Sequence, residues 1–143
     1  MNLEVHQIRP DYDPKDFNSA VGLVESKLGK SIDYKKYAND HKDREVILCA
    51  KDIDAGVLGM LAVEFVFDIR ELPVTAGAIS PDLSEEERLE VMNVLVNKAI
   101  MTGDLVGRDV VIVDTNNVAK IDDLLIKNGF EAQGSNILVS SVK

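Results

Sequence analysis

The chain has 143 residues, of which 45% are hydrophobic, and it carries a formal net charge of −9 at pH 7. This length and apolar content predict one folded domain spanning residues 1–143 and argue against global disorder. The negative charge argues against general affinity for nucleic acids or anionic membranes, because both are polyanions. No apolar run approaches the ~20 residues of a membrane span, so we expect a cytoplasmic protein. We also expect a monomer or a homodimer.

The first forty residues predict one strand and two helices. Residues 3–8 alternate apolar and polar side chains, which is typical of a half-buried strand. Asp13 and Pro14 follow as the N-cap and the first residue of a helix, which is expected to end near Gly29. A second, short and polar helix is predicted for residues 33–41.

The middle of the chain predicts consecutive strands. Residues 45–51 are apolar and rich in branched side chains, which indicates a central strand, and residues 52–56 supply a turn. Residues 57–67 continue as a long strand, in which Gly59 is expected to be a bulge or a site of close backbone approach. An apolar run over residues 74–79 predicts the next strand.

Residues 84–102 predict an amphipathic helix. Ser84 and Glu87 form the S-x-x-E pattern of a capping box, in which each side chain bonds the backbone amide of the other residue. Apolar residues recur at spacings of three and four and predict one buried stripe: Leu89, Met92, Val96, Ala99 and Ile100. Gly103 is the expected end of this helix.

The last part of the chain predicts a strand over residues 109–113, then a helix, then a final strand or hairpin over residues 130–142. The helix is expected to begin near Val118 and to end at Asn128 and Gly129. The element order predicts an α/β (α+β) fold, a mixed sheet of six to seven strands flanked by about four helices. The strand–helix–strand unit in the second half predicts one parallel connection.

The histidines and the cysteine predict neither a metal site nor thiol chemistry. His6 and His41 are far apart in sequence and lack partners at ligand spacing, so no metal is expected. Cys49 is the only cysteine. It lies in an apolar strand and is expected to be an inert buried thiol.

Several short sequence motifs, taken in order, resemble those of the GNAT superfamily of N-acetyltransferases, and together they extend over nearly the whole chain. Residues 46–59, VILCAKDIDAGVLG, are similar to its second and third strands with their acidic turn and further glycine. Residues 79–81, Ile-Ser-Pro, are similar to the corner that ends its fourth strand. Residues 127–130, Lys-Asn-Gly-Phe, are similar to the end of its last helix. The resemblance implies the GNAT fold.

The resemblance also implies acetyl-CoA as the acyl donor, bound in a splayed gap between the fourth and fifth strands. Backbone groups of Gly77, Ala78 and Ile79 would pair with the pantetheine arm and polarise the thioester carbonyl. Asparagines that follow the fifth strand often contact the cofactor in the family, and Asn116 and Asn117 are the candidates here.

The family binds the pyrophosphate at the N-terminus of the next helix. There Ser84 aligns with the Arg or Gln of the family's phosphate-binding motif, and Glu87 and Leu89 align with its glycines. Arg88 offers a positive charge in the same segment. Leu125 aligns with the position at which many family members carry a tyrosine near the leaving thiolate.

Two hypotheses for the function follow. The first is an acyl-CoA-dependent N-acetyltransferase that acts on a small-molecule or protein amine, with Glu64 or Glu71 as the general base. The second is a non-catalytic module of the same fold that binds a protein partner in regulation or assembly, supported by the acidic start of the helix at Ser84 and the replaced glycines.

Overall fold

The computed structural model describes residues 1–9, 11–28, 36, 45–66 and 69–142. One sheet of seven strands has the spatial order β1-β2-β3-β4-β5-β7-β6. Its strands are β1 (Leu3–Ile8), β2 (Glu45–Asp52), β3 (Gly56–Glu64), β4 (Glu71–Ile79), β5 (Val110–Asp114), β6 (Glu131–Ala132) and β7 (Ile137–Ser141). The helices of the described residues are α1 (Pro14–Leu28), α2 (Glu85–Leu105), α3 (Asp122–Lys127) and a 3-10 helix (Thr115–Val118).

The predicted mixed sheet is confirmed, with seven strands. Strands β1 to β4 pair in antiparallel order, β4 pairs with β5 in parallel, and β7 pairs antiparallel with β5 and β6. The described residues contain three α-helices, one fewer than expected. The helix predicted for residues 33–41 lies outside them apart from Lys36. No helix within the described ranges is both long and apolar enough to cross a membrane.

Helices cover both faces of the sheet, as predicted. One face packs against α1 through a buried cluster that includes Phe17, Ala20, Val21, Val24, Ile47, Cys49, Met60, Ala62 and Ala78. The other face packs against α2 and α3 through a larger cluster that includes Leu48, Leu61, Val63, Leu72, Val74, Val91, Met92, Leu95, Leu124 and Leu125. Because side chains alternate along a strand, neighbouring residues of β3 supply the two cores in turn.

The predicted buried stripe of α2 is partly wrong. Leu89 is 36% exposed, and Ile100 is only partly buried. The residues that the helix buries are Val91, Met92, Leu95, Val96, Ala99, Thr102 and Gly103. At 3.6 residues per turn, Leu89 lies about a quarter turn from the centre of this arc. The spacing of three and four therefore identified the helix but selected the edge of its buried face.

The predicted end of α2 and the predicted start of the last helix also need correction. Gly103 does not end α2: it is buried inside the helix, where an added Cβ would lie 3.1 Å from Val142 Cγ2. The chain turns instead at Gly107, whose φ is 73°. The helix expected from Val118 is divided into the 3-10 helix and α3. Its predicted end is confirmed, with Asn128 as the C-cap of α3.

Gly59 marks a close approach between α2 and the sheet, one of the two roles expected for it. An added Cβ would lie 2.7 Å from Val91 Cγ1 and 3.2 Å from Leu95 Cδ1. The neighbouring Leu58 is the extra residue of a bulge, because the register with β2 skips it. The absence of a side chain at Gly59 therefore sets the distance between helix and sheet.

Replacing Gly59 with alanine should lower the free energy of unfolding by about 1–3 kcal/mol, because the added methyl overpacks this contact. Val91 is β-branched and has little rotamer freedom in a helix, so it cannot move aside easily. Gly22→Ala is the matched control. An added Cβ at Gly22 meets nothing within 4 Å, so this helical substitution should raise the free energy by about 0.5–1 kcal/mol. Urea unfolding measures both, and equal effects would contradict the prediction.

Candidate functional site

Strand β4 is paired with β5 along only part of its length. The parallel ladder joins Glu71 through Val74 to β5, and residues 75–79 of β4 extend beyond it. At the same point the register with β3 leaves Thr75 as an extra, bulged residue, whose hydroxyl donates to the Ala62 carbonyl at 3.4 Å. A bulge bends its strand and increases the local twist. Strand β4 therefore diverges from β5 and opens a space beside residues 75–79, the β4–β5 gap.

The end of β4 directs alternate backbone groups into this gap. The Ser80 amide donates to the Leu58 carbonyl of β3 at 2.8 Å. Hydrogen-bonded and non-hydrogen-bonded pairs alternate in an antiparallel ladder, so Ala78 directs its N–H and C=O at β3. Gly77 and Ile79 direct theirs to the gap. Of the three backbone positions predicted to contact a cofactor, Gly77 and Ile79 therefore face the gap and Ala78 faces β3.

The segment after β5 bonds to the narrow end of the gap. Asp114 caps the 3-10 helix by accepting a hydrogen bond from the Asn116 amide at 2.9 Å. Asn117 Nδ2 donates to the Val74 carbonyl at 3.4 Å. Of the two asparagines expected to contact a cofactor, Asn116 therefore makes a hydrogen bond within the chain through its backbone N–H, and Asn117 makes one through its side chain. Asn117 lies where the pairing of β4 with β5 ends.

Apolar side chains of the chain itself cover one face of the gap at Gly77. A Cβ added at Gly77 would lie 3.1 Å from Val118 Cγ1 and 3.1 Å from Ile121 Cδ1. Both side chains are buried. The absence of a side chain at Gly77 thus lets the segment after β5 pack against β4, and the more open part of the gap lies towards Ile79.

The first turn of α2 bonds to itself through the predicted capping box, which is confirmed. Ser84 Oγ accepts from the Glu87 amide at 3.2 Å, and the Glu87 carboxylate accepts from the Ser84 amide at 3.1 Å. The bond from the Ser84 amide lowers the pKa of Glu87 below its ordinary value of 4.5. Two amides that a helix N-terminus could offer to a phosphate are therefore used internally.

A cleft of about 240 Å³ opens at the wide end of the gap. Its lining comes from α1, the end of β4, the turn after β4, the first turn of α2 and the segment before α3: Leu23, Ser26, Ile79, Pro81, Arg88, Lys120 and Ile121. Small-molecule sites usually measure about 300–1,000 Å³. The cleft is therefore smaller than a typical small-molecule site, and its volume suits one arm of a larger ligand.

Arg88 and Lys120 bring two positive charges to this cleft. Arg88 Nη2 donates to the Lys120 carbonyl at 3.4 Å, which connects the first turn of α2 to the segment before α3. Arg88 Nε is buried without a hydrogen-bond partner. The sequence prediction included Arg88 and Ile79 but missed Lys120, because this lysine belongs to no motif.

The two carboxylates predicted as general bases lie in different parts of the sheet. Glu64 is the half-buried last residue of β3, opposite Glu45 of β2, and directly follows Val63, where the bulge begins. Glu71 is the exposed first residue of β4. At ~3.3 Å per residue it lies roughly 13 Å along the strand from Thr75. The structure therefore brings Glu64 near the bulge and leaves Glu71 distant from it.

The remaining described candidates, Cys49, His6 and Leu125, belong to the core or to the surface of the protein. Cys49 is fully buried, and burial raises the pKa of its thiol to about 12. His6 is exposed and lies 3.0 Å from Glu4. His41 is outside the described residues, among which no group of three His, Cys, Asp or Glu side chains is arranged to hold a metal ion. Leu125 is buried in the larger core.

Known proteins share the architecture of this chain without sharing its sequence. No family model matches the sequence, and no curated protein matches it. Among solved structures, the chain is similar to the aminoglycoside 6′-N-acetyltransferase from Enterococcus faecium, with a TM-score of 0.74 and 8% identity over 98% of this chain and 97% of that one.

Two further structures give the same result. A GNAT-family acetyltransferase from Staphylococcus aureus has a TM-score of 0.69 and 10% identity over 99% of both chains. Spermidine N-acetyltransferase from Vibrio cholerae, in complex with CoA and spermine, has a TM-score of 0.67 and 12% identity over 98% of this chain and 95% of that one. The chain has the GNAT fold, which confirms the fold that the sequence resemblance implied. At these identities the likeness establishes the fold alone.

The capping box should make stability depend on pH through Glu87. Because the folded pKa of Glu87 lies below its unfolded value, its carboxylate stabilises the fold above about pH 4.5, and this contribution is lost as the pH falls through the folded pKa. Glu87→Gln should therefore lower the melting temperature near pH 7, and the difference from wild type should shrink near ~pH 3.

Glu86→Gln is the matched control, since Glu86 lies in the same turn but makes no capping bond in the described structure. It should lower the melting temperature near pH 7 less than Glu87→Gln does, because it removes no capping bond. Melting curves recorded between these pH values test the prediction, and a constant difference between Glu87→Gln and wild type would contradict it.

Proposed function

We propose that this protein is an acyl-CoA-dependent N-acyltransferase that transfers an acetyl group to an amine. The observation that carries the proposal is the β4–β5 gap, with backbone groups directed into it and a cleft bearing two cations at its wide end. The similar solved structures include N-acetyltransferases of aminoglycosides and spermidine, one of them with CoA bound. Their names support an amine acceptor for this chain as well.

The residues around the gap fit an acyl-CoA. The backbone of Ile79 would hold an amide group of the pantetheine arm. Arg88, whose Nε has no partner, and Lys120 would hold negative charge on the donor. The bound donor would supply an acyl group activated as a thioester.

Glu64 is the residue that we assign to proton abstraction from the acceptor amine. Ala62 packs towards α1, so Glu64, two residues further along β3, faces the same side. Glu45 stands directly opposite, with the two Cβ atoms about 4.5–5.5 Å apart, as in any cross-strand pair. Two carboxylates at this distance attract a cationic amine, and one of them can accept its proton directly or through a water molecule.

Protonation of the leaving thiolate is left to water in this proposal. The position at which many GNAT enzymes carry a tyrosine is Leu125, which is apolar and fully buried. A buried leucine has no proton to donate. The amine nitrogen would form the new bond to the acyl carbon while the carbon–sulfur bond of the thioester breaks. Glu64 would take the amine proton and water would protonate the released thiolate, so no side chain is assigned as a general acid.

Acetyl-CoA and free CoA should each raise the melting temperature, because a ligand of the native state stabilises it. At about 100 times the dissociation constant the gain is ~2.7 kcal/mol, or roughly 5 to 10 °C for a chain of this size. Adenosine, which lacks both phosphate and pantetheine, is the control and should give no shift. A thermal-shift titration to millimolar concentration without any response to either CoA would favour the non-catalytic, partner-binding module.

Glu64→Gln should lower the turnover number by about 10²- to 10⁴-fold, the usual contribution of a general base. Glu71→Gln, at the far end of β4, should stay within about twofold of wild type. Glu64→Gln should not reduce stability, because it removes a like-charge neighbour of Glu45. Release of free thiol, with spermidine and an aminoglycoside as acceptors, measures turnover. The opposite ranking of the two variants would reassign the base to Glu71.

A further inference from the structure

The two edges of the sheet differ in length. Strand β6 forms one edge and has only two residues, Glu131 and Ala132. Strand β1 (Leu3–Ile8) forms the other edge and pairs with β2 along all six of its residues, without a shift in register. Within the described ranges, no strand pairs with the outer side of β1. Every second residue of β1 therefore directs its backbone N–H and C=O outwards, and a regular edge of this kind is a template for another strand.

Strand β1 lacks the usual devices that keep an edge strand from pairing. Natural edges are commonly protected by lysine, proline or a bulge, whereas β1 has the sequence LEVHQI and a continuous register. Its ionisable side chains are Glu4 and His6, which lie 3.0 Å apart and are 65% and 50% exposed. Lys51, the neighbour of Glu4 on β2, is already bonded to Asp16 of α1. A carboxylate and an imidazole at the edge are therefore available to a second strand.

Two copies of β1 can pair as antiparallel neighbours about a two-fold axis perpendicular to the sheet. Such an interface is isologous, so each residue of one copy meets the same partner as its equivalent in the other. Each face of the sheet then continues into the same face of the second copy, and residues opposite each other lie on one face. Ile8 packs on the α1 side, and so do Glu4 and His6 by alternation, whereas Val5 packs on the α2 side.

Charge selects one register among those that this symmetry allows. If the axis lies at Val5, Glu4 of each copy stands opposite His6 of the other, and two complementary pairs form. A histidine N–H donates to a carboxylate in either charge state of the ring. An axis at Glu4 would bring two carboxylates together, and an axis at His6 would bring two imidazoles together. In the register centred on Val5, two β-branched side chains also meet on the other face, which is a favourable cross-strand pair.

We infer that the outer edge of β1 is a dimerisation surface and that its occupant is β1 of a second copy of this chain, antiparallel and centred on Val5. The two sheets of seven strands join into one continuous sheet. Strand β4 lies three strands away from this edge, so the gap of each copy stays accessible and the dimer does not depend on acyl transfer. One strand pair is smaller than a standard interface, so we expect a reversible dimer with a dissociation constant of about 1–100 μM.

Sedimentation equilibrium of the full chain at concentrations that bracket this dissociation constant tests the surface. Wild type should be mostly dimeric at the highest concentration, and added salt should shift it towards the monomer, because exposed charges are screened. His6→Glu places a carboxylate opposite Glu4 in both symmetry-related pairs and should weaken the dimer at least about tenfold. Ala132→Glu adds the same group to the opposite edge of the sheet. It is the matched control and should dimerise as wild type does.

Glu4→Lys supplies the complementary variant. Alone it places a lysine opposite His6, so the pair has no carboxylate and the dimer should weaken in the same way. In an equal mixture of Glu4→Lys and His6→Glu, the new lysine meets the new carboxylate and the native Glu4 meets the native His6. The mixture should therefore form a heterodimer with at least the affinity of wild type. Because a misfolded variant could not recover on mixing, this result separates the edge contact from damage to the fold.

Four outcomes would overturn the inference. They are a monomeric wild type throughout the concentration range, a His6→Glu dimer as tight as wild type, an Ala132→Glu dimer weakened as much as that of His6→Glu, and a mixture of the two charge variants that stays monomeric. The last outcome would exclude the register centred on Val5, since only that register places residues 4 and 6 of the two copies opposite each other.

Discussion

The bulge at Thr75 is the feature on which the candidate site depends. It directly follows Val74, the last residue of β4 that pairs with β5, so the same break in register bends one strand and releases it from the other. A released strand edge must still satisfy its backbone polar groups. Asn117 bonds the Val74 carbonyl, and Val118 and Ile121 cover the adjacent face. A ladder continued to Ile79 would leave neither gap nor cleft.

Local chemistry made much of the fold predictable from the sequence. The order of strands and helices, the parallel connection and the two covered faces follow from hydrophobic periodicity and turn residues. The capping box of Ser84 and Glu87 was predictable because both partners lie within one turn. Gly59 and the helix stop at Asn128 and Gly129 were also identified, since each has a small set of structural uses.

Features that depend on tertiary contacts could not be predicted in this way. Leu89 fits the helical spacing, but α2 is rotated so that other residues meet the sheet. Gly103 fits the sequence pattern of a helix stop, but in the structure it lies inside α2 and packs against Val142. Choosing Glu64 over Glu71 requires the strand register and the position of the bulge. Lys120 carries no sequence signal, because its place in the lining of the cleft follows from the path of the segment before α3.

The distribution of charge affects how quickly different molecules reach the protein. A net charge of −9 produces a long-range field that attracts cations and repels anions, and this field weakens as salt is added. A cationic amine would therefore meet the protein fastest in dilute buffer. A polyanionic donor of the proposed kind would be repelled at a distance and attracted only near Arg88 and Lys120. The encounter rates of the two proposed substrates should respond to ionic strength in opposite directions, so one salt concentration cannot favour both.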